Sequence, residues 1–96
     1  MVLAKPDYRL LWLRRLDALW LARPDPTSVW GVNGLAREMR EALGEAAFDG
    51  DAAWEALTEA IRHGEILAIE VGEGELAARI TATGQARLAV IEGRPV

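Results

Sequence analysis

The segment from Glu65 to Gly84, EILAIEVGEGELAARITATG, predicts two short strands around a glycine turn, followed by the start of a helix. Apolar residues recur at alternate positions on both strands, with one set at Leu67, Ile69 and Val71 and another at Leu76, Ala78 and Ile80. The glycines at 72 and 74 accept the positive φ that a tight turn requires. The segment therefore predicts a β-hairpin, and three helical patterns lie before it.

The first helical pattern runs from Tyr8 to Ala22, with Asp7 as its predicted cap and a proline at 24 beyond its end. Its apolar residues cover more than one face, which is typical of a helix packed on two sides or of one that also meets another protein. A short strand is expected at Thr27–Trp30, after this helix.

Two further helices are predicted between residues 34 and 63, and each is closed by a glycine. GLAREMREAL follows Asn33 as its cap, and AAWEALTEAIRH follows Asp51 as its cap. Helical spacing assigns one buried face to each, at Leu35, Ala36, Met39 and Leu43 and at Trp54, Leu57 and Ile61.

Thr81 is the predicted cap of a last helix from Ala82 to Glu92, which ends at Gly93. A third strand over ARLAVI, residues 86–91, is the alternative, because a short apolar run does not define its own period.

This order of elements resembles that of the winged-helix superfamily. VNGLAREMREAL looks like the first helix of a helix-turn-helix, and WEALTEAIRHGEILAI looks like a recognition helix that runs into a wing. ITATGQARL is similar to the Leu-Thr-x-x-Gly-Arg stretch after the wing in repressors of the multiple-antibiotic-resistance type, with Ile80 and Gln85 in place of the leucine and arginine. The resemblance implies one α+β winged-helix domain over residues 1–96, with a three-helix core, a β-hairpin wing and a C-terminal helix.

Length and composition agree with one domain, since 96 residues that are 51% hydrophobic can bury a modest core. No apolar run reaches the ~18 residues that a membrane span needs. Charged residues, Arg9 among them, interrupt the first apolar segment, so no signal peptide is expected. There is no cysteine, which excludes disulfides and thiolate metal sites and favours a cytoplasmic protein.

Charge separates the two halves of the chain. Residues 45–96 hold four arginines against ten carboxylates, a balance of −6, whereas residues 1–44 hold seven cations against five carboxylates, a balance of +2. In DNA-binding relatives the third helix and the wing face the nucleic acid, where cations and amides are needed. Here they present an acidic surface, and its predicted partner-binding residues are Glu55, Glu59, Arg62, Glu70, Glu73 and Glu75.

Catalytic and metal-binding patterns are weak. The single serine, lysine and histidine (Ser28, Lys5 and His63) lie in different segments, and nothing predicts a nucleophile beside a base. Glu55, Glu59 and His63 share helical spacing that would suit metal ligands, but a solvated face is the simpler interpretation. No enzyme activity, metal or cofactor is therefore predicted.

The sequence favours a protein-interaction or regulatory module whose acidic face binds a protein with a basic surface or mimics phosphate. A homodimer is predicted through helix 1 and the C-terminal segment, with interface residues Leu10, Leu11, Trp12, Trp20 and Leu21 and with Arg14 and Asp17 paired across the axis. The alternative is a dimeric winged-helix transcription regulator that contacts DNA through arginines elsewhere, at Arg14, Arg15, Arg37 and Arg40.

Overall fold

The hairpin and the helices assemble into a small α+β structure in a computed structural model that describes residues 6–25 and 27–93. These residues form four helices and three strands. In chain order they are α1 (Tyr8–Ala22), β1 (Trp30–Gly31), α2 (Val32–Leu43), α3 (Gly50–Arg62), β2 (Ile66–Gly72), β3 (Glu75–Ile80) and α4 (Ala82–Glu92).

The three strands form one antiparallel sheet in the order β1-β3-β2. The predicted hairpin is confirmed, with Glu73 and Gly74 as its turn and Gly74 at φ 71°. A register irregularity between Glu70 and Gly72 precedes that turn. The strand expected at Thr27–Trp30 begins only at Trp30, since Trp30 and Gly31 are the residues that pair with β3.

Two predicted helix starts are wrong by about half a turn. The predicted cap Asn33 lies inside α2, because the chain passes straight from β1 into the helix and buries Val32 in its first turn. Asp49, not Asp51, caps α3 by accepting a hydrogen bond from the backbone N–H of Ala52 at 3.1 Å. Asp51 lies in the first turn of α3, where its negative charge favours the helix N-terminus.

The first and last helices begin and end as predicted. Asp7 accepts a hydrogen bond from the N–H of Leu10 at 3.1 Å, and α1 spans Tyr8–Ala22. Residues 86–91 lie within α4, so the strand alternative for ARLAVI is wrong. Gly93 ends α4 in the left-handed conformation, at φ 67°.

Helix α1 is the centre of the core. Its side chains at Trp12, Leu13 and Leu16 are fully buried and lie among α3, β3 and α4. The Trp12 indole N–H donates a hydrogen bond to the carbonyl of Ala53 at 2.8 Å, which fixes the distance between α1 and α3. Burying such side chains contributes roughly 1.5–3 kcal/mol each to folding.

The junction after the hairpin depends on Thr81 and Gly84. The Thr81 hydroxyl donates to the Gly64 carbonyl at 2.5 Å and accepts from the Gly84 N–H at 3.0 Å. A Cβ at Gly84 would collide with the backbone carbonyl of Glu65 and lie 2.7 Å from a side-chain carbon of Ile80. Thr81 and Gly84 of ITATGQARL are thus required to bring the start of α4 against the start of β2.

A partly buried ion pair holds the start of α1 to the same junction. The Arg9 guanidinium donates to both carboxylate oxygens of Glu65, at 2.9 Å and 2.5 Å, and Glu65 is only 4% exposed. The hydrogen bond from Arg9 to Glu65 is the main cause that raises the pKa of Arg9, so the guanidinium stays charged. Glu65 therefore belongs to the interior and is not part of the acidic hairpin surface.

Candidate functional site

The outer surface of α3 carries an exposed tryptophan. The sequence predicted Trp54 in the core, but its side chain is 50% exposed, and the buried face of α3 consists of Ala53, Leu57 and Ala60. Small residues occupy this face because Trp12 packs directly against the α3 backbone, as its bond to the Ala53 carbonyl shows. Close approach of the two helices leaves no room for a second indole between them, so Trp54 lies on the solvent side.

Trp54 lies in an open groove of about 510 Å³ along α3. We call it the Trp54 groove, and it is lined by Ala52, Trp54, Glu55, Ala56, Thr58, Glu59 and Arg62. The hydroxyl of Thr58 donates to the carbonyl of Trp54 at 3.0 Å and so stays within the helix. The groove therefore combines an aromatic side chain with charged side chains.

The charges of the groove are partly paired. Glu59 lies 2.7 Å from the Arg62 guanidinium and 3.3 Å from the His63 imidazole. Within residues 6–25 and 27–93, Glu55 has no ion-pair partner and lies exposed beside Trp54. Three of the residues predicted to bind a partner, Glu55, Glu59 and Arg62, thus lie together on one surface, and in the described part of the chain Glu55 has no cation beside it.

The hairpin supplies a second group of carboxylates. Glu70, Glu73 and Glu75 are all exposed at or near the turn, as their prediction as a partner-binding surface requires. Arg79, on the return strand, is partly buried. The tip of the hairpin is therefore acidic even though Glu65 is buried elsewhere.

The four predicted nucleic-acid contacts differ in their surroundings. Arg14 pairs with Glu92 and Arg15 pairs with Glu38, both at 3.0 Å. Arg37 and Arg40 line a shallow depression of about 190 Å³, together with Asn33, Ala36 and Phe48. Among the described residues, no carboxylate lies within ion-pair distance of either of these α2 arginines.

Most residues of the predicted dimer surface on α1 pack against the core of the monomer. Trp12 is fully buried and cannot belong to a surface, which corrects its assignment to an interface. Leu10, Leu11 and Trp20 are partly buried against the core, and Leu21 alone of the five is well exposed, at 62%. Arg14 and Asp17 have partners in the same chain, since Gln85 donates to the buried Asp17 at 3.2 Å and Arg14 binds Glu92.

Metal ligands are not gathered anywhere in the described ranges, where no three His, Asp or Glu side chains converge. Glu59 and His63 are neighbours one helical turn apart, but Glu55 does not complete a set with them. No helix in the described part of the chain is both long and apolar enough to pass through a membrane.

No family model, curated protein or solved structure matches this chain. The surface residue that sequence reasoning missed is Trp54, and one signal for it was present: Ala53, Leu57 and Ala60 also follow helical spacing. A pattern of large apolar side chains predicts the wrong buried face here, because a close contact between two helices favours small side chains such as Ala53 and Ala60.

Proposed function

We propose that this chain is a non-enzymatic winged-helix module that binds another protein through the Trp54 groove and the acidic tip of the hairpin. The observation that carries the proposal is the half-exposed indole of Trp54, set beside the carboxylates of Glu55 and Glu59. Tryptophan is enriched among the few residues that dominate protein interfaces.

The chemistry of the groove favours a basic partner. An arginine or lysine of the partner can lie over the face of the indole, an interaction worth ~0.5–2 kcal/mol, and can pair with Glu55 at the same time. Glu70, Glu73 and Glu75 extend the negative charge to the hairpin and would speed association with a positively charged surface. A basic protein surface therefore fits this face better than a nucleic acid does.

The winged-helix assignment rests on the resemblance stated above and on the order of elements. A short strand lies between α1 and α2, three helices precede the hairpin, and the Thr-x-x-Gly sequence forms the cap and first turn of α4. A cytoplasmic location belongs to the same proposal, because a chain without cysteine suits a reducing compartment. A regulatory role follows if binding of the partner competes with that partner's own contacts to phosphate.

The test is capture of partners from the native host with the wild-type protein and with Trp54→Ala, followed by affinity measurement on each purified candidate. We expect Trp54→Ala and Glu55→Lys each to weaken binding by tenfold or more, and added salt to weaken the wild type further. Leu21→Ala, a change at an exposed apolar residue of α1, is the matched control and should bind as the wild type does. If Trp54→Ala binds every partner unchanged, the Trp54 groove is not the binding surface.

A second candidate function is DNA binding, and one observation favours it. Asn33, Arg37 and Arg40 share one face of α2, line one depression and offer the side chains that contact phosphates and base edges. The measurement is selection of duplexes from a random pool at physiological salt, with Arg37→Glu/Arg40→Glu as the comparison variant. If the wild type binds one sequence with nanomolar affinity and this variant does not, the protein is a DNA-binding regulator of transcription and the protein-binding proposal is wrong.

A further inference from the structure

Strand β2 lies at the edge of the sheet and presents an aliphatic surface. In the described part of the chain it has a strand neighbour, β3, on one side only. Leu67 and Ile69, alternate residues of one strand face, are 41% and 44% exposed, and Val71, beside the register irregularity, is 53% exposed. Soluble monomers usually protect such an edge with charges or proline, but β2 contains one charged residue, Glu70.

The β2 edge differs from the other exposed apolar residues. Leu21, Val90 and Ile91 are also exposed, but they lie near the ends of α1 and α4, helices whose interior backbone groups are hydrogen-bonded within the helix. An edge strand has, in addition to its side chains, backbone N–H and C=O groups that point away from the sheet. A second strand covers the apolar side chains and forms hydrogen bonds with these backbone groups at the same time, which is the physical basis of recognition by strand addition.

We infer that β2 pairs with β2 of a second copy of this chain, antiparallel about a twofold axis near Ala68 or Ile69. Two three-stranded sheets then join into one sheet of six strands. Antiparallel pairing about either centre sets residues of the same strand face opposite one another, so Leu67 and Ile69 of both copies form one apolar strip. Glu70 then faces Ile66 or Ala68 of the second copy and not its own counterpart.

Charge favours this arrangement of two copies over a parallel one. Antiparallel pairing carries the hairpin tip, with Glu73, to the level of the residues just before β2 in the second copy. Glu65, directly before β2, is buried and bound by Arg9, so the exposed side chains at that level are Arg62 and His63, which also lie within ion-pair distance of Glu59 in their own chain. A parallel arrangement would instead place the acidic tips side by side. The twofold axis repeats each favourable contact, as an isologous interface requires.

The strand pairing does not use Trp54, and of the residues that line the Trp54 groove only Arg62 lies at the level of the second copy's hairpin tip. The dimer does not depend on the proposed function, since a strand interface forms whether or not Trp54 binds a partner. An interface of this kind is smaller than the ~800 Å² per partner of a standard complex, so we expect association in the micromolar range.

The first experiment measures mass by light scattering across a range of concentrations from about 1 to 500 µM, which brackets that affinity. The wild type should pass from monomer to dimer, and Ile69→Lys and Val71→Lys should raise the dissociation constant at least tenfold. Far-UV circular dichroism of each variant checks that it is folded. Leu21→Lys and Val90→Lys are the matched controls on the helical surface, and Trp54→Ala is the control for the groove; all three should dimerise as the wild type does.

The second experiment maps the interface with single cysteines, which the absence of native cysteine makes unambiguous. Ile69→Cys lies opposite its own counterpart if the axis is at Ile69, and Ala68→Cys does so if the axis is at Ala68. One of these two variants should form disulfide-linked dimers at least tenfold faster than Leu21→Cys or Val90→Cys under mild oxidation. A wild type of monomer mass at every concentration overturns the inference. So does a dimer that survives Ile69→Lys and Val71→Lys, or cross-linking that is fastest at Leu21 or Val90, which would locate the interface on α1 or α4.

Discussion

Replacing Gly84 by alanine tests the packing of α4 against the start of β2. The new Cβ would overlap the Glu65 carbonyl, which is backbone, and would lie 2.7 Å from Cγ1 of Ile80. Relief requires α4 to move away from the junction that Thr81 holds through its bonds to Gly64 and Gly84. We therefore expect Gly84→Ala to destabilise the fold, although alanine is the better helix former by about 1 kcal/mol.

Gly34→Ala is the matched control, because Gly34 and Gly84 are each the third residue of their helix. A Cβ at Gly34 would meet nothing within 4 Å. Alanine there should be neutral or stabilising by up to about 0.5–1 kcal/mol. The difference between the two variants removes the helix propensity that they share and leaves the steric cost at Gly84.

The expected loss of stability in Gly84→Ala combines the steric cost with the gain in helix propensity. Forcing extra volume into a packed site costs typically 1–3 kcal/mol, and a backbone obstacle belongs at the upper end, so we expect a net loss of about 2 kcal/mol. For a domain of this size that loss lowers the midpoint of thermal unfolding by roughly 8–16 °C. Urea unfolding followed by circular dichroism gives the same quantity independently. A Gly84→Ala protein as stable as Gly34→Ala would refute the proposed contact between α4 and Glu65.

Three further predictions test the contacts that hold the core and the exposure of Trp54. Arg9→Met should lower the free energy of unfolding by about 2–4 kcal/mol, because it leaves the Glu65 carboxylate buried without its cation. Arg14→Met, at an exposed ion pair, should change the free energy of unfolding by about 0.5 kcal/mol or less. Urea unfolding of both variants measures this difference, and equal losses in the two would contradict the prediction. Tyr8→Phe removes the buried hydroxyl that accepts from the Asp49 N–H at 2.7 Å and should cost about 1–2 kcal/mol at the start of α3, with hydrogen exchange at the amide of Asp49 as the local readout. Trp54→Ala should leave the midpoint of thermal unfolding within about 2 °C of the wild type, because the side chain is exposed. Trp12→Ala should lower the free energy of unfolding by about 3–5 kcal/mol or prevent folding. A large loss of stability in Trp54→Ala would mean that this side chain is buried in the core.

Local sequence was sufficient for most helix ends and for the hairpin. Asp7 and Thr81 cap helices by hydrogen bonds to an N–H three residues away, and Gly74 and Gly93 adopt the positive φ that glycine permits. Such interactions lie within one turn of chain, so the residues that make them can be recognised without knowledge of the rest of the fold. The two helix starts that were predicted wrongly each had competing candidates within two residues of each other.

Burial was decided by contacts between distant parts of the chain. Trp54 is exposed because Trp12, 41 positions from Ala53 in the sequence, occupies the space against α3. Glu65, a carboxylate at the start of the hairpin segment, is buried because Arg9, 56 positions away, binds it. The apolar residues of α1 and α3 outnumber the places in a core this small, and helical spacing alone does not choose among them. Only the packing of α1 against α3 and β3 selects which indole is buried and which remains on the surface.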